Sequence, residues 1–383
     1  MHRAQVILFT KERGDIGMFK CVDLFCGAGG LSEGFRQIGF DILLANDFDQ
    51  WCEATYKSNH PKTKFVSGPI QNVGASEVLT ALSLQKGELD CIVGGPPCQA
   101  FSVYNHQRGM HDERPGLFRE YLRLVEGLLP KYVVIENVPG ITSVEDGVAV
   151  KEIKHGLQAL GYTVEVALLK AEDFGAPQER RRLFFIGNRI GKDIVFPEPT
   201  HGEGRLPFVR VWDAISDLPT LNNGEGSEVV SYFSEPLNEY QKIIREKSAA
   251  IYNHVAPTLG AINIERLKYI PEGGSWRDIP MELLPSGMKR ARRSDHTKRY
   301  GRLRKDGFAS TILTKCDPHW GAFFHPEQNR AITVREAARL QCFPDYIRFE
   351  GSRVEQYKQV GNAVPIRLSA AIARVVYQAL ENK

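Results

Sequence analysis

Between residues 19 and 196, short unbroken apolar runs alternate with amphipathic stretches, and this rhythm constrains the fold more than any other feature of the chain. The runs CVDLF (21–25), DILLAND (41–47), LDCIVGG (89–95), YVVIENV (132–138) and RLFFIGN (182–188) are short and rich in Val, Ile, Leu and Phe, and read as strands. Between them, residues 117–129 carry Leu117, Phe118, Tyr121, Leu122, Val125, Leu128 and Leu129 on one helical stripe, and 150–162 reads as a further helix. Strands alternating with helices predict an α/β fold: a doubly wound, mostly parallel sheet with helices on both faces. The rhythm stops near 197. From there to about 330, Gly, Pro and polar residues dominate, which predicts a second, smaller, irregular domain. Regular structure returns at TVREAARLQCF (333–343), with Thr333 as N-cap and Glu336 closing a capping box, and in a helix over 367–382.

A chain of 383 residues suits about two domains. Its 42% hydrophobic and 25% charged residues describe a soluble globular protein, with no apolar run expected to span a bilayer and no signal peptide. Residues 1–17 read as an extension before the first strand. Seven cysteines, none in a C-x-x-C pair, predict neither a disulfide framework nor a metal site. The expectation is a reducing, cytoplasmic compartment, with six of the seven thiols acting as small core residues. The net charge of +3 conceals a segregation: residues 289–305 hold nine Lys or Arg and one acid, leaving the rest of the chain at −5. Lys289, Arg290, Arg292 and Arg293 lead this run. A solvated loop would explain it, but Tyr300 and the following DGFASTILTK favour an ordered, phosphate-binding face.

In an open parallel sheet, ligands bind beyond the carboxyl ends of the strands, and four groups fall there. The GAGG turn (Gly27, Ala28, Gly29, Gly30) follows the first strand. Asp47 comes twenty residues after Gly27, the distance of a carboxylate that grips ribose hydroxyls, and Phe48 beside it could stack on an adenine. Alone, this turn also suits a nicotinamide enzyme or a purely structural bend. Cys98 follows Pro96 and Pro97, whose rings fix two φ angles at the strand end. A cysteine in that setting is more often packing than chemistry, but Glu136 at the next strand end is well placed to hydrogen-bond a substrate amidine. Gln178, Arg180 and Arg182 alternate, so an extended segment would aim two guanidinium groups at one site, or leave a solvated edge.

Together these stretches resemble the C5-cytosine DNA methyltransferase family. DLFCGAGGLSEGF (23–35), GGPPCQAFS (94–102), ENVPG (136–140), QERRRLFFIG (178–187), TVREAARLQCFPD (333–345) and QVGNAVP (359–365) match its blocks in order, over roughly 19–370. The resemblance implies S-adenosyl-L-methionine as methyl donor and double-stranded DNA as substrate. It gives Cys98 the role of nucleophile at C6 of a flipped-out cytosine, and Glu136 the cytosine N3 and amine. Arg182 would hold the cytosine O2 and Arg180 would orient the loop. Cofactor contacts carry over to Phe25, Gly27, Ala28, Gly30, Asp47, Phe48, Ile70, Pro97, Leu117, Asn362 and Ala363. DNA contacts carry over to Gln99, Ser102 and Thr311, joined by the basic run. The family's Gly-Asp-Ile is here Gly68-Pro69-Ile70, which removes an expected bond to the adenine amine.

If Asn362 reaches the cofactor, the catalytic domain is discontinuous: 1–196 with 352–383, a target-recognition domain at 197–334, and a hinge at 335–351. The resemblance further implies a monomer on DNA, no membrane, and a cognate restriction endonuclease as a partner. Three other readings stand beside it. A transfer-RNA cytosine methyltransferase shares such a core. A nicotinamide-dependent oxidoreductase would leave Cys98, Glu136 and the arginines idle, and an inactive DNA-binding relative would not need them.

Overall fold

The computed structural model describes residues 19–97, 116–143 and 147–382. Cys98, Gln99 and Ser102, and the extension at 1–17, lie outside the described residues. Strands β1 (Phe19–Leu24), β2 (Phe40–Asp47), β3 (Lys64–Ser67), β4 (Cys91–Gly94), β5 (Tyr132–Asn137), β6 (Thr163–Lys170) and β7 (Arg181–Asn188) form one sheet in the order β3-β2-β1-β4-β5-β7-β6. The first five pair in parallel, while β7 runs antiparallel between β5 and β6. Winding proceeds outward from β1 to β2 and β3, then restarts at β4 on the other side. The switch point therefore lies between β1 and β4, where a doubly wound sheet opens its ligand crevice.

Helices α1 (Gly30–Ile38), α2 (Gln50–Asn59), α3 (Ala75–Leu82), α4 (Leu117–Leu128) and α5 (Val148–Ala159) cover the sheet. Successive residues of β4 and β5 face opposite cores, which is why their sequences are unbroken. Ile92, Val133 and Ile135 pack with Phe118, Tyr121 and Val125 of α4. Cys91, Val93 and Val134 share the other core with Phe35 of α1.

Beyond β7 the chain builds short elements: α6 (Val211–Ile215), β8 (Gly226–Val230), α7 (Glu239–Arg245), β9 (Ile251–Val255) and α8 (Ala261–Leu267). β8 and β9 form an antiparallel pair. A separate apolar cluster of Leu267, Ile270, Trp276, Ile279, Met288, Tyr300 and Phe324 supports this irregular region.

Helix α9 (Val334–Leu340) starts at the expected capping box: Thr333 Oγ1 accepts from the Glu336 N–H at 3.1 Å, and the Glu336 carboxylate accepts from the Thr333 N–H at 2.7 Å. Every residue of α9 is buried. Its charges are tolerated because each is paired. Arg330 meets Glu336 at 2.7 Å, Arg339 bridges Asp217 and Asp345, and Arg335 donates to the Tyr252 carbonyl at 2.8 Å. The segment read as a hinge is thus packed tightly against the irregular region.

Two helices close the chain, α10 (Arg353–Asn362) and α11 (Ile366–Glu381). The stretch Arg353–Glu381 contains an 18-residue window of mean hydropathy 1.2, more than half of it buried inside the protein. It is in fact two helices parted at Ala363–Pro365, and α11 packs on α1, with Ser369 Oγ donating to the Leu31 carbonyl at 2.9 Å.

Candidate active site

At the carboxyl end of β1 the chain turns through Phe25 and Gly27, both with positive φ (58° and 54°). A side chain built at Gly27 would meet nothing within 4 Å, so the turn presents an open face. Asp47, at the end of β2, fixes this turn from below. Its Oδ2 accepts from the Gly27 N–H and its Oδ1 from the Asp49 N–H, each at 2.9 Å. Burial raises the Asp47 pKa above the usual carboxylate range, against these hydrogen bonds. The two contacts leave lone pairs of the carboxylate available for ligand hydroxyls. Phe48 beside it is 72% exposed, an unusual setting for a phenylalanine and a ready stacking surface.

Phe25 and Leu117 pack on the apolar cluster that contains Ile70, which forms one wall of the crevice, and Ala28 is buried at the turn. The α10–α11 junction supplies another wall. A Cβ at Gly30 would lie 2.9 Å from the Val364 carbonyl oxygen and 3.1 Å from Ala363 Cβ, so only glycine admits this approach. Asn362 is exposed at that junction. Pro69, with φ −60°, caps the short turn Ile70–Asn72.

Sequence reasoning missed Asp23. Buried in β1, it accepts from the Ser32 N–H at 3.1 Å and the Ser32 hydroxyl at 2.6 Å, tying α1 to the turn. Its Oδ1 has no partner, and burial pushes its pKa up to about 7. The only sequence signal was a carboxylate in the apolar run CVDLF.

The second half of the crevice follows β4. Gly95, Pro96 and Pro97 lead out of the strand, and the buried Asn137 Nδ2 donates to the Pro96 carbonyl at 3.1 Å. Asn137 was also missed, although it sits in the quoted ENV stretch. Next to it, Glu136 Oε1 pairs with Arg182 Nε at 2.6 Å, both side chains nearly buried. Burial lowers the Arg182 pKa, while the Glu136 charge opposes that shift. A Cβ at Gly95 would lie 2.9 Å from Glu136 Oε2, so glycine here lets the carboxylate rest against the proline turn.

Arg180 goes elsewhere than an alternating pattern suggests. Its Nη1 donates to the Ile312 carbonyl at 3.1 Å and its Nη2 to the Gly361 carbonyl at 2.8 Å, while its buried Nε has no partner. Among the described residues it ties the start of β7 to α10 and to the segment carrying Thr311. Thr311 Oγ1 donates to the Glu179 carbonyl at 2.7 Å on the partly exposed side of that segment. Gln178 is buried and donates to the Leu340 carbonyl at 2.7 Å.

The basic run is not uniform: Lys298, Arg304 and Lys305 pair with Glu179, Asp306 and Glu327. Lys289, Arg290, Arg292 and Arg293 are exposed and have no ion pair among the described residues. Arg302 instead is buried and donates to the Ile270, Leu267 and His325 carbonyls, a structural role. The six described cysteines are all buried, as expected of core thiols. A carboxylate–guanidinium pair beside a pinned proline turn can hold the planar amidine edge of a base. The open glycine turn, the Asp47 carboxylate and the exposed Phe48 ring fit a nucleoside cofactor.

A sequence profile of C-5 cytosine-specific DNA methylases matches residues 19–378. The chain is similar to type II methyltransferase M.AgeI of Thalassovita gelatinovora, with 33% identity over 94% of this chain and 100% of that protein. It is also similar to type II methyltransferase M.DdeI of Desulfomicrobium norvegicum, with 35% identity over 94% of this chain and 89% of the relative. Among solved structures, a protein described as a DNA modification methyltransferase encoded within a prophage (E. coli) aligns with a TM-score of 0.76 and 27% identity, covering 95% of this chain and 100% of that one.

Proposed function

Because the chain belongs to the C-5 cytosine-specific DNA methylase family, we propose that it methylates C5 of a cytosine flipped out of a short specific sequence in duplex DNA, with Cys98 as nucleophile and S-adenosyl-L-methionine as donor. The Cys98 thiolate bonds to C6, which makes C5 electron-rich. S-adenosyl-L-methionine, when bound, supplies the methyl group as an electrophile. Loss of the C5 proton and elimination of the sulfur then restore the aromatic ring and free the thiol. Glu136 holds the N3 and amine edge, and Arg182, paired with it at 2.6 Å, holds O2 and fixes the carboxylate's orientation. The observation that carries this reading is the placement of that ion pair against the proline turn, whose carbonyl Asn137 pins. A thiol one residue beyond this turn gains reactivity from placement. The binding energy of the pocket and the DNA must offset a few kcal/mol of base unstacking.

The donor site lies at Phe25, Gly27, Ala28, Gly30, Asp47, Phe48, Ile70, Pro97, Leu117, Asn362 and Ala363. The catalytic domain comprises 1–196 and 352–383, the target-recognition domain 197–334, and 335–351 joins them. DNA lies between the two domains, touched by Gln99, Ser102, Thr311 and the exposed basic residues 289–293. The protein acts as a cytoplasmic monomer on DNA, alongside a restriction endonuclease for the same site.

The test is bisulfite sequencing of unmethylated genomic DNA after incubation with the protein and S-adenosyl-L-methionine, with Cys98→Ala in parallel. Protected cytosines confined to one short sequence, and lost in the variant, are expected. No protection with the unaltered protein refutes the reading, and protection that survives Cys98→Ala refutes the nucleophile.

A further inference from the structure

On the irregular region, Trp320 is half exposed, and the guanidinium of Arg299 lies over its ring at 4.9 Å from the centroid. Both members of this stack stand on fixed backbone. The Arg299 N–H donates to the His296 carbonyl at 2.9 Å, and the Arg299 carbonyl accepts from the Trp276 N–H at 3.0 Å. Trp320 is held by a tight turn, its N–H donating to the Asp317 carbonyl at 2.9 Å. That turn is stitched to the neighbouring segment: the Tyr300 N–H donates to the Pro318 carbonyl at 2.6 Å, and Tyr300 Oη meets His319 Nδ1 at 3.0 Å. The His319 ring meets the indole edge-on at 5.0 Å. Arg299 Nη1 reaches only the Met288 sulfur, at 3.8 Å, so its other N–H groups make no hydrogen bond among the described residues.

The stack also lies beside the reaction centre's own scaffold. Lys298 pairs with Glu179 at 3.9 Å, and Thr311 bonds the Glu179 carbonyl, one residue before Arg180. The loop carrying Trp320 continues from the segment whose Ile312 carbonyl Arg180 binds.

We infer that Arg299 reads a guanine in the recognition sequence through its major-groove edge, with Trp320 as the positioning residue that holds the guanidinium flat. The inference rests on the methyl-transfer reading above. A guanidinium can also fork a phosphate, but a fixed plane adds sequence discrimination only against a base edge that offers two acceptors in one plane, as guanine O6 and N7 do. Bidentate contact with O6 and N7 requires that plane, and aromatic stacking supplies it without removing the donors. The exposed Lys289, Arg290, Arg292 and Arg293 have no such support, and serve the backbone.

The experiment scores methylation by the full chain of a duplex pool randomised around the modified cytosine, read by bisulfite sequencing. Arg299→Lys keeps the charge but loses the fork. It is expected to lose discrimination at one guanine position by roughly 5- to 150-fold while keeping every other preference. Trp320→Phe keeps a stacking ring and should retain the preference, whereas Trp320→Leu should weaken it at the same position. Unchanged discrimination at every position in Arg299→Lys overturns the inference, as does an equal fall in methylation across all sequences. Failure of the unaltered protein to methylate any duplex overturns the methyl-transfer reading itself, and is distinguished by that control.

Discussion

Replacing Asn137 with alanine should slow methyl transfer while leaving S-adenosyl-L-methionine binding nearly intact. The Asn137 amide donates 3.1 Å to the Pro96 carbonyl in a buried setting, two residues before Cys98. Truncation leaves that carbonyl without its donor, a loss of about 1–3 kcal/mol. Spent entirely on loop placement, this corresponds to a rate loss of roughly 5- to 150-fold, comparable to the 100-fold or so expected from a misplacement of about 1 Å. Asn137→Asp sharpens the test. It keeps the shape and the acceptor for the Val138 N–H, now at 2.9 Å from Oδ1, but turns an oxygen toward the Pro96 oxygen. It should be at least as slow as alanine. The assay is single-turnover transfer of a tritiated methyl group under saturating DNA, with cofactor affinity by calorimetry and a melting curve for each variant. A single-turnover rate indistinguishable from wild type in both variants would refute the role given to this hydrogen bond. So would losses that merely track a fall in cofactor affinity or in the folded fraction.

Pro69→Asp supplies the acceptor that the resemblance places at this position. Its cofactor affinity should rise by up to about tenfold with turnover intact; calorimetry showing no gain would sink this. Neutralising Lys289, Arg290, Arg292 and Arg293 to glutamine should weaken DNA binding for all sequences and flatten the log–log salt slope by up to about 3.6. An unchanged slope would mean that these four side chains do not meet phosphates. His325 Nδ1 accepts from the backbone N–H groups of Glu327 and Gln328, and burial above all depresses its pKa to about 4. As pH falls below about 6.5, the unfolded chain takes up the proton first. The stability His325 contributes is therefore complete above that value and lost as pH falls toward 4. The advantage of wild type over His325→Gln in urea unfolding should shrink across that window, and a constant difference would contradict it.

The central strands were legible because burial on both faces leaves them mostly apolar, and the capping box of α9 because it is local. β6 was not: at one edge of the sheet only Val164 is buried and the rest of TVEVALLK is partly or fully exposed, so its sequence carries a weaker signal. α10 was missed for a related reason, since Tyr357 and Val360 are the main apolar residues it offers to the core. At the site, the twenty-residue spacing that singled out Asp47 is also the separation of its hydrogen bond to Gly27. The Asn137–Pro96 bond joins residues 41 apart with no periodic relation between them, and no pattern in either stretch announces it. Arg180 shows the limit of alternation: the spacing of Arg180 and Arg182 was visible, but β7 begins at Arg181, and Arg180 sits before the ladder. Its destinations, Ile312 and Gly361, are more than 130 residues away. The pairing of Arg339 with Asp217 is hidden in the same way.

The closure of the glycine turn by the last two helices sets an order of assembly on the ribosome. All seven strands of the sheet have been synthesised by residue 188, yet the wall against Gly30 comes from Ala363 and Val364, and the lock on α1 from Ser369. The bond from Ser369 to Leu31 spans 338 residues. At about 5–20 residues per second, the interval of 181 residues from the end of β7 to Ser369 takes roughly 9–36 s. Throughout it a nascent chain holds a sheet without a finished donor site. The irregular region, proposed to read DNA, is made within that interval, before the proposed donor site is complete. An interrupted chain would then lack the means to methylate at random.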